Sequence, residues 1–167
     1  MLIFCSRLLE WSQIPALVTK YHFAKPNFVL IDAGYNPGRV YNFCASRGYT
    51  AMRGDAQTEF IHHAGRRRLK RYYSPVERIN FGKQQAVLIR WSNERIKDIL
   101  GRLRSRGGPA FEIPNDVMPD YQAHMVSEIK KDLVDKRTGD IQQRWVKIGS
   151  RANHLFDTRP CRFAGRL

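Results

Sequence analysis

The sequence predicts an α/β fold with a parallel sheet, and two apolar stretches with a helical segment between them support this prediction. Phe28–Ile31 is a short run of β-favouring residues that ends in Asp32, which is typical of a strand buried on both faces. Tyr49–Met52 has the pattern of a second short strand, and Arg39–Arg47 has that of a helix. A strand, a helix and a strand within about thirty residues form a βαβ unit, so we expect adjacent parallel strands with the helix packed across them.

The residues around this helix predict where it begins and ends. Asn36 can cap its N-terminus, Pro37 suits the first helical position, and Gly48 suits the residue that stops it. Before the βαβ unit, apolar residues in Leu2–Val18 predict an amphipathic helix that Pro15 interrupts.

The second half of the chain predicts a further strand, three helices and a hairpin. The strand covers Gln84–Arg90, and Ser92 caps the helix that follows it. On that helix the apolar residues should face inward, and they are Ile96, Ile99, Leu100 and Leu103. The cations should face outward, and they are Arg95, Lys97, Arg102 and Arg104. Gly107–Pro109 should end the helix. A helix is predicted over Asp120–Lys131, with Tyr121, Met125 and Ile129 buried. A hairpin follows, in which the turn Lys136–Asp140 lies between Leu133–Val134 and Arg144–Ile148. The last predicted element is a short helix over Asn153–Asp157.

The charge of the chain predicts a polyanionic partner. The 29 Lys and Arg residues outnumber 15 Asp and Glu residues, and the pI is near 10.2. Nucleic acid is the commonest partner of such a chain. Arg66–Arg71 places five cations in six residues beside Tyr72 and Tyr73. This run is either a solvated face or a surface that contacts phosphates, with the tyrosines stacking on bases or sugars.

Other features of the composition exclude several classes of protein. Cys5, Cys44 and Cys161 are an odd number without C-x-x-C spacing, so neither a disulfide framework nor a zinc ribbon is expected. No apolar run approaches the roughly eighteen residues of a membrane span. We expect a soluble, cytoplasmic protein with no membrane partner, in which 1–167 form a single domain.

Asp32 is the leading candidate for chemistry, because a carboxylate after a buried strand lies at the carboxyl edge of a parallel sheet, where α/β proteins place their sites. The alternative is that it only caps the following loop or helix. Asp157 shares a helical face with Asn153 and could point at the same edge. Two such oxygen donors could bind Mg²⁺ or Mn²⁺ and act on a phosphodiester.

Other reactive residue types fit structural roles better. His62 and His63 are adjacent, so their side chains point apart and are expected to be exposed rather than a metal pair. Asp55 fits a turn carboxylate better than an extra ligand. Cys44, Trp91 and Trp145 fit core positions.

Several segments also resemble a known family. They are Val29–Tyr35, Arg39–Cys44, Met52–Gly54, Met125–Glu128, Arg144–Lys147 and Asn153–Asp157. In this order they resemble the nuclease domain of the lambda-type large terminase subunit of tailed phages. That family shows an aspartate-small-glycine turn, a helix written roughly Val-Tyr-x-Phe-Cys, and a strand that ends in a basic residue and glycine.

The resemblance implies an RNase H-like mixed sheet flanked by helices. It also implies an endonuclease that cuts concatemeric viral DNA during packaging. Asp32 and Asp157 would be the catalytic residues and the ligands of Mg²⁺ or Mn²⁺. Their carboxylates should then lie roughly 4 to 7 Å apart, since two-metal sites hold their ions about 3.5 to 4 Å apart. The DNA-binding residues would be the cations Arg53, Arg66, Arg67, Arg68, Lys70 and Arg71.

The chain also departs from that family. The family's first carboxylate lies on an opening strand in a Gly-x-Asp context. No such strand is found before the Leu2 helix. We therefore expect a partial nuclease that is incomplete at its N-terminus and has a basic insertion at about 60–80. No G-x-x-x-x-G-K-[ST] motif for a packaging ATPase occurs. Two functions therefore stay open: an active metal-dependent endonuclease, or a non-catalytic nucleic-acid-binding module.

The resemblance implies partners and a location as well. The partners would be double-stranded DNA, the terminase ATPase part, the small terminase subunit and the portal. The location would be the cytoplasm of a bacterial host, with the protein encoded by a phage or prophage.

Overall fold

The computed structural model describes residues 8–22, 25–105, 117 and 120–152. The chain divides into two compact units, one containing Arg7–Ile96 and the other containing Lys97–Pro160. We call them the N-terminal unit and the C-terminal unit.

Helices and strands alternate only at the start of the described chain, where two helices and two strands are followed by four further strands in succession. Those of the N-terminal unit are α1 (Gln13–Lys20), β1 (Leu30–Asp32), α2 (Pro37–Arg47), β2 (Thr50–Asp55), β3 (Phe60–Ala64), β4 (Arg67–Arg71), β5 (Glu77–Phe81) and β6 (Gln84–Ser92). Helix α3 (Asn93–Ser105) begins in this unit, and α4 (Tyr121–Met125), β7 (Glu128–Val134) and β8 (Ile141–Lys147) belong to the C-terminal unit.

A four-stranded mixed sheet organises the N-terminal unit, with the strand order β1-β2-β6-β5. Strands β1, β2 and β6 are parallel, with Ile31 beside Ala51 and Ala51 beside Leu88, and β5 is antiparallel to β6. The predicted pair of adjacent parallel strands is therefore confirmed. The mixed sheet with its helices is consistent with the RNase H-like fold that the resemblance implies.

The first strand differs from its prediction in position and burial. Pro26–Phe28 form a 3₁₀ turn in which the Val29 N–H donates to the Pro26 carbonyl at 2.9 Å, so β1 begins at Leu30 rather than at Phe28. Leu30 and Ile31 are half-buried, whereas the prediction was a strand buried on both faces. The reason is that β1 is an edge strand of the described sheet.

Helix α2 packs on the sheet as predicted. The Arg39 N–H donates to the Asn36 side chain at 3.2 Å, and Gly48 ends the helix with φ +70°, a conformation that favours glycine. Val40 and Cys44 are buried in one core with Ala51 and Leu88 of the strands. This core packs α2 against β2 and β6 and so fixes the positions of these strands.

Helix α1 is shorter than the predicted Leu2–Val18 helix, and Pro15 does not interrupt it. The helix begins at Gln13, so Pro15 lies in its first turn, where a backbone N–H has no acceptor within the helix. Residues 1–7 lie outside the described part of the chain.

Helix α3 begins as predicted, but one of its cations does not face outward. The Arg95 N–H donates to Ser92 Oγ at 3.4 Å, and Ile96 and Leu100 are buried. Lys97 is 12% exposed, and its Nζ lies 2.7 Å from Oε2 of Glu128, whose side chain is 5% exposed. The predicted end at Gly107–Pro109 falls outside the described residues, as does the Arg104 side chain.

The prediction of a helix over Asp120–Lys131 is wrong beyond Met125. Helix α4 ends there, and β7 begins at Glu128 and pairs antiparallel with β8 along its whole length. Tyr121 and Met125 are buried, but Ile129 is a strand residue and is 39% exposed. The predicted helical spacing therefore holds for Tyr121 and Met125 on α4, whereas that of Ile129 is a coincidence, because strand pairing overrides the local pattern there.

The predicted turn between β7 and β8 is confirmed. Asp135 Oδ1 accepts from the N–H groups of Arg137 at 2.8 Å and Thr138 at 3.3 Å, and Gly139 has φ +77°. The predicted helix over Asn153–Asp157 lies outside the described residues. Among the residues that are described, no helix has the length and apolar composition needed to cross a bilayer.

Candidate active site and nucleic-acid interface

Three parallel strands end at one edge of the sheet in the N-terminal unit. Asp32 is the last residue of β1, Asp55 of β2 and Ser92 of β6, and we call these strand ends the carboxyl edge. In the strand register Asp32 lies beside Met52, and Asp55 lies beside Ser92. The edge is the position at which open α/β sheets bind their ligands.

The Asp32 carboxylate is exposed and is held by the turn that follows β1. Its Oδ1 accepts from the Gly34 N–H at 3.3 Å, and a Cβ atom on Gly34 would come within 3.2 Å of its Oδ2. The Ala33 N–H donates to the Met52 carbonyl at 2.7 Å, and Ala33 is fully buried. The backbone therefore determines where this carboxylate lies, and Gly34 leaves space for it.

The chain around Asp32 is otherwise cationic. Asp32 is the one acidic residue from Trp11 to Gly54, and the same segment carries five cations, namely Lys20, Lys25, Arg39, Arg47 and Arg53. Arg39 and Arg53 are exposed. A carboxylate in this sequence context combines an oxygen that could bind a divalent metal with cations that attract phosphate.

Asp55, the second carboxylate of the carboxyl edge, is occupied by structural contacts. Its Oδ1 accepts from the Gln57 N–H at 2.8 Å, and its Oδ2 lies 2.9 Å from Nη1 of Arg90. The Gln57 N–H and then Arg90 hold the pKa of Asp55 below its ordinary value. Arg90 also donates from Nε to Glu77 at 2.8 Å. The pKa of Arg90 is raised, mainly by Glu77 and to a smaller extent by Asp55. Asp55 is thus a turn and ion-pair carboxylate, which is the role that the sequence favoured.

Asn93 is a polar residue at this edge that the sequence analysis did not identify. Its amide lies over Gly54, where a Cβ atom would come within 2.4 Å of Oδ1, and Trp91 Nε1 donates to that oxygen at 3.1 Å. Gly54 lies two residues after Met52 on β2, so both residues face the same side of the sheet. Asp32 is paired with Met52 and therefore lies on this face as well. The signal in the sequence is the glycine that follows Arg53, which marks a close approach.

The described residues do not contain a complete metal site. Asp32 offers the hard oxygen that Mg²⁺ and Mn²⁺ prefer, but no group of three or more His, Cys, Asp or Glu side chains within the described ranges could hold a metal ion. The second predicted ligand, Asp157, lies outside those ranges, so its distance from Asp32 remains a prediction.

The other reactive residue types have the structural roles that the sequence predicted, with two partial exceptions, His62 and Trp145. His62 is half-buried with Nε2 2.7 Å from the Tyr73 carbonyl, and His63 is exposed. Cys44 is fully buried, and this burial raises the pKa of its thiol to about 12. Trp91 is 2% exposed, whereas Trp145 is only partly buried and donates from Nε1 to Asp98 at 2.8 Å.

The cationic run forms one strand of a hairpin, Phe60–Arg71, which we call the basic hairpin. Because side chains alternate along a strand, Arg67 and Arg71 lie on one face of the hairpin and Arg68 and Lys70 on the other. Arg66 lies in the turn, and all five residues of β4 are exposed. The run therefore presents cations on both faces.

Contacts at the base of the basic hairpin attach it to the sheet. Phe60 is 3% exposed, and the Arg90 guanidinium lies 5.4 Å from the centre of its ring. On the opposite face, Lys70 Nζ lies 2.8 Å from Glu59 Oε2 and lowers the pKa of that carboxyl. Lys70 is therefore partly neutralised, while the turn end of the hairpin carries exposed arginines.

Comparison with known proteins identifies one family. A family model described as the endonuclease domain of the terminase large subunit gpA matches residues 13–166. No curated protein and no solved structure matches the chain.

Proposed function

Because the chain belongs to the endonuclease-domain family of the terminase large subunit gpA, we propose that it hydrolyses phosphodiester bonds of concatemeric viral DNA in a reaction that depends on Mg²⁺ or Mn²⁺. The observation that supports this proposal is the position of Asp32. Its carboxylate is exposed at the carboxyl edge of three parallel strands, within a segment whose other charged residues are all cations. Such an edge is a common location of α/β active sites.

In this proposal Asp32 and Asp157 are the catalytic residues and the metal ligands. A bound divalent ion would activate water and stabilise charge at the scissile phosphate. The turn formed with Gly34 holds the Asp32 oxygens in place before any ligand arrives, so little reorganisation is needed at this residue. The Asn93 amide, fixed by Trp91, is available on the same face to orient the DNA backbone.

The proposed DNA-binding residues are Arg53 of β2 and the cations of the basic hairpin, Arg66, Arg67, Arg68, Lys70 and Arg71. Their exposure supports this role, because a phosphate-binding cation must reach the DNA backbone. Contacts of this kind hold duplex DNA in register without selecting its sequence.

The proposal includes the setting of the reaction. The substrate is double-stranded viral DNA, and the terminase ATPase part, the small terminase subunit and the portal are the packaging partners. The reaction then takes place in the cytoplasm of a bacterium that carries the phage or prophage.

A second candidate function is a nucleic-acid-binding module without catalytic activity. One observation favours it: the described residues contain no set of three side chains that could hold a metal. The basic hairpin would serve this module equally well.

Nicking of supercoiled plasmid in Mn²⁺ separates the two functions. We expect the parent to nick the plasmid, EDTA to stop it, and Asp32→Asn and Asp157→Asn each to abolish it while plasmid binding in EDTA stays within about twofold of the parent, because one charge is lost among many. Asp55→Asn is the matched control, since it makes the same change at the same edge and should leave the nicking rate unchanged.

Two results would count against the nuclease. If Asp32→Asn nicks as fast as the parent, Asp32 is not a catalytic residue. If the parent binds DNA but does not nick it in Mg²⁺ or Mn²⁺, the non-catalytic module is the better description.

A further inference from the structure

A tyrosine three residues after Asp32 projects entirely into solvent. Tyr35 is 100% exposed, which is more than any other large hydrophobic side chain among the described residues. A single exposed apolar side chain is ordinary on a protein surface. This one is notable for its position beside the candidate catalytic carboxylate.

The loop that carries Tyr35 is anchored on both sides. Before it, Ala33 is fully buried and its N–H donates to the Met52 carbonyl, while the Gly34 N–H donates to the Asp32 carboxylate. After it, Asn36 caps α2. The ring is therefore presented by a fixed backbone, and its distance from Asp32 along the chain is short.

The charges of the chain segment that contains Tyr35 favour a nucleic acid over a protein as the group that covers its ring. Apart from Asp32, the charged residues from Trp11 to Gly54 are all cations. The guanidinium of Arg39, four residues after Tyr35, lies 5.2 Å from the ring centre of Trp11 and so is engaged elsewhere. An uncovered aromatic ring within a cationic segment is the usual arrangement of a base-stacking contact.

We propose that the ring of Tyr35 stacks on a nucleobase next to the phosphodiester at Asp32 and so positions the DNA strand for cleavage. This inference rests on the proposed nuclease function, which it deepens. Every base has a π-face, so the contact does not depend on sequence. A base must be unpaired or unstacked to accept the ring, so we expect tighter binding to gapped duplex than to intact duplex.

Photochemical crosslinking tests the contact directly. The probe is a duplex with a short single-stranded gap in which the unpaired strand carries 5-iododeoxyuridine. It is irradiated with the parent chain in EDTA, and the tryptic peptides are sequenced by mass spectrometry. The tryptic peptide Tyr21–Arg39 contains Tyr35 and also Phe28, which is 52% exposed and precedes β1. Phe28 is therefore an exposed aromatic control within the same peptide. We expect the crosslink at Tyr35. Crosslinks confined to other residues would overturn the inference.

Binding measurements provide a second readout. Fluorescence anisotropy in EDTA should show that Tyr35→Ala lowers affinity for the gapped duplex about tenfold, while Tyr35→Phe stays within about twofold, because stacking needs the ring and not the hydroxyl. The control Phe28→Ala should bind as the parent does. If Tyr35→Ala keeps full affinity, or Tyr35→Phe loses as much as Tyr35→Ala, Tyr35 does not stack on a base.

Both measurements are made without metal and without cleavage, so they separate this inference from the proposed function. A parent that crosslinks at Tyr35 but never nicks DNA supports the stacking contact and contradicts the nuclease. A parent that nicks DNA through Asp32 without a Tyr35 crosslink supports the nuclease and contradicts the stacking contact.

Discussion

The carboxyl edge of the sheet and the basic hairpin are built in opposite ways. At the carboxyl edge, parallel strand pairing and the turn after β1 position Asp32, and a core that includes Val40, Cys44 and Leu88 supports them. In the basic hairpin all five residues of β4 are exposed, and attachment to the sheet depends on contacts at its base.

This contrast suits the two regions to different functions. A residue that takes part in chemistry needs a fixed position, which the packed edge provides. Cations that bind phosphates need exposure and reach, which a two-stranded ribbon provides. The two regions should therefore respond independently to substitution, and the following predictions test that independence.

The largest effect is expected from charge reversal in the basic hairpin. Arg67→Glu, Arg68→Glu and Lys70→Glu together should weaken binding to all duplex sequences about 100-fold near 0.1 M salt and flatten the log-log salt dependence, since each phosphate contact contributes about 0.9 to the slope. Anisotropy titrations at several salt concentrations measure both quantities. Cleavage at low salt and saturating protein should persist, because Asp32 is untouched.

A control with the same change in net charge is available in the C-terminal unit. Lys131→Glu, Lys136→Glu and Arg137→Glu reverse three exposed cations of the other hairpin. An equal loss in this control would mean that net charge, and not the basic hairpin, governs binding. If the control binds DNA as the parent does, separate reversals of Arg67 with Arg71 and of Arg68 with Lys70 show which face of the basic hairpin contacts DNA.

An intermediate effect is expected at Arg90, the link between the two regions. Arg90→Met removes the guanidinium that contacts Asp55, Glu77 and the Phe60 ring. The three charged side chains are only partly buried, so we expect a loss of about 1–2 kcal/mol in the free energy of unfolding, measured by urea denaturation. The Mn²⁺-dependent nicking rate should stay near that of the parent, and its collapse would show that the two regions are coupled.

The smallest effect is a pH-dependent loss at Asp55. The pKa of this carboxyl is lowered by folding, so its contribution to stability is present above its ordinary value of 3.8 and is lost as pH falls through the lower native pKa. Asp55→Asn should reduce the free energy of unfolding at pH 7 by less than about 1 kcal/mol. The gap should close in urea titrations below pH 3.8, and a gap that widened there would contradict the sign of the shift.

The sequence predicted the carboxyl edge well because its signals are local. Asn36, Pro37 and Gly48 define α2 through backbone conformation and capping, which depend on neighbouring residues alone. A short apolar run followed by an aspartate then predicts both the strand and the position of Asp32.

Other features depend on contacts between distant residues, and the sequence did not reveal them. Ile129 has helical spacing but pairs with Val146 in a hairpin, and Lys97 has an outward helical position but meets Glu128. The split of the cationic run over two faces follows from strand alternation, which a run of like charges conceals. Asn93 was missed because its importance comes from its approach to Gly54.

Manganese binding tests directly whether Asp32 is a metal ligand at the carboxyl edge. Titration of Mn²⁺ followed by the electron paramagnetic resonance signal of the free ion gives the Kd for the parent, Asp32→Asn and Asp55→Asn. We expect Asp32→Asn to raise the Kd at least about tenfold, since a carboxylate oxygen ligand is lost, and Asp55→Asn to leave it unchanged. Equal Kd values for the parent and Asp32→Asn, or a loss confined to Asp55→Asn, would contradict the account.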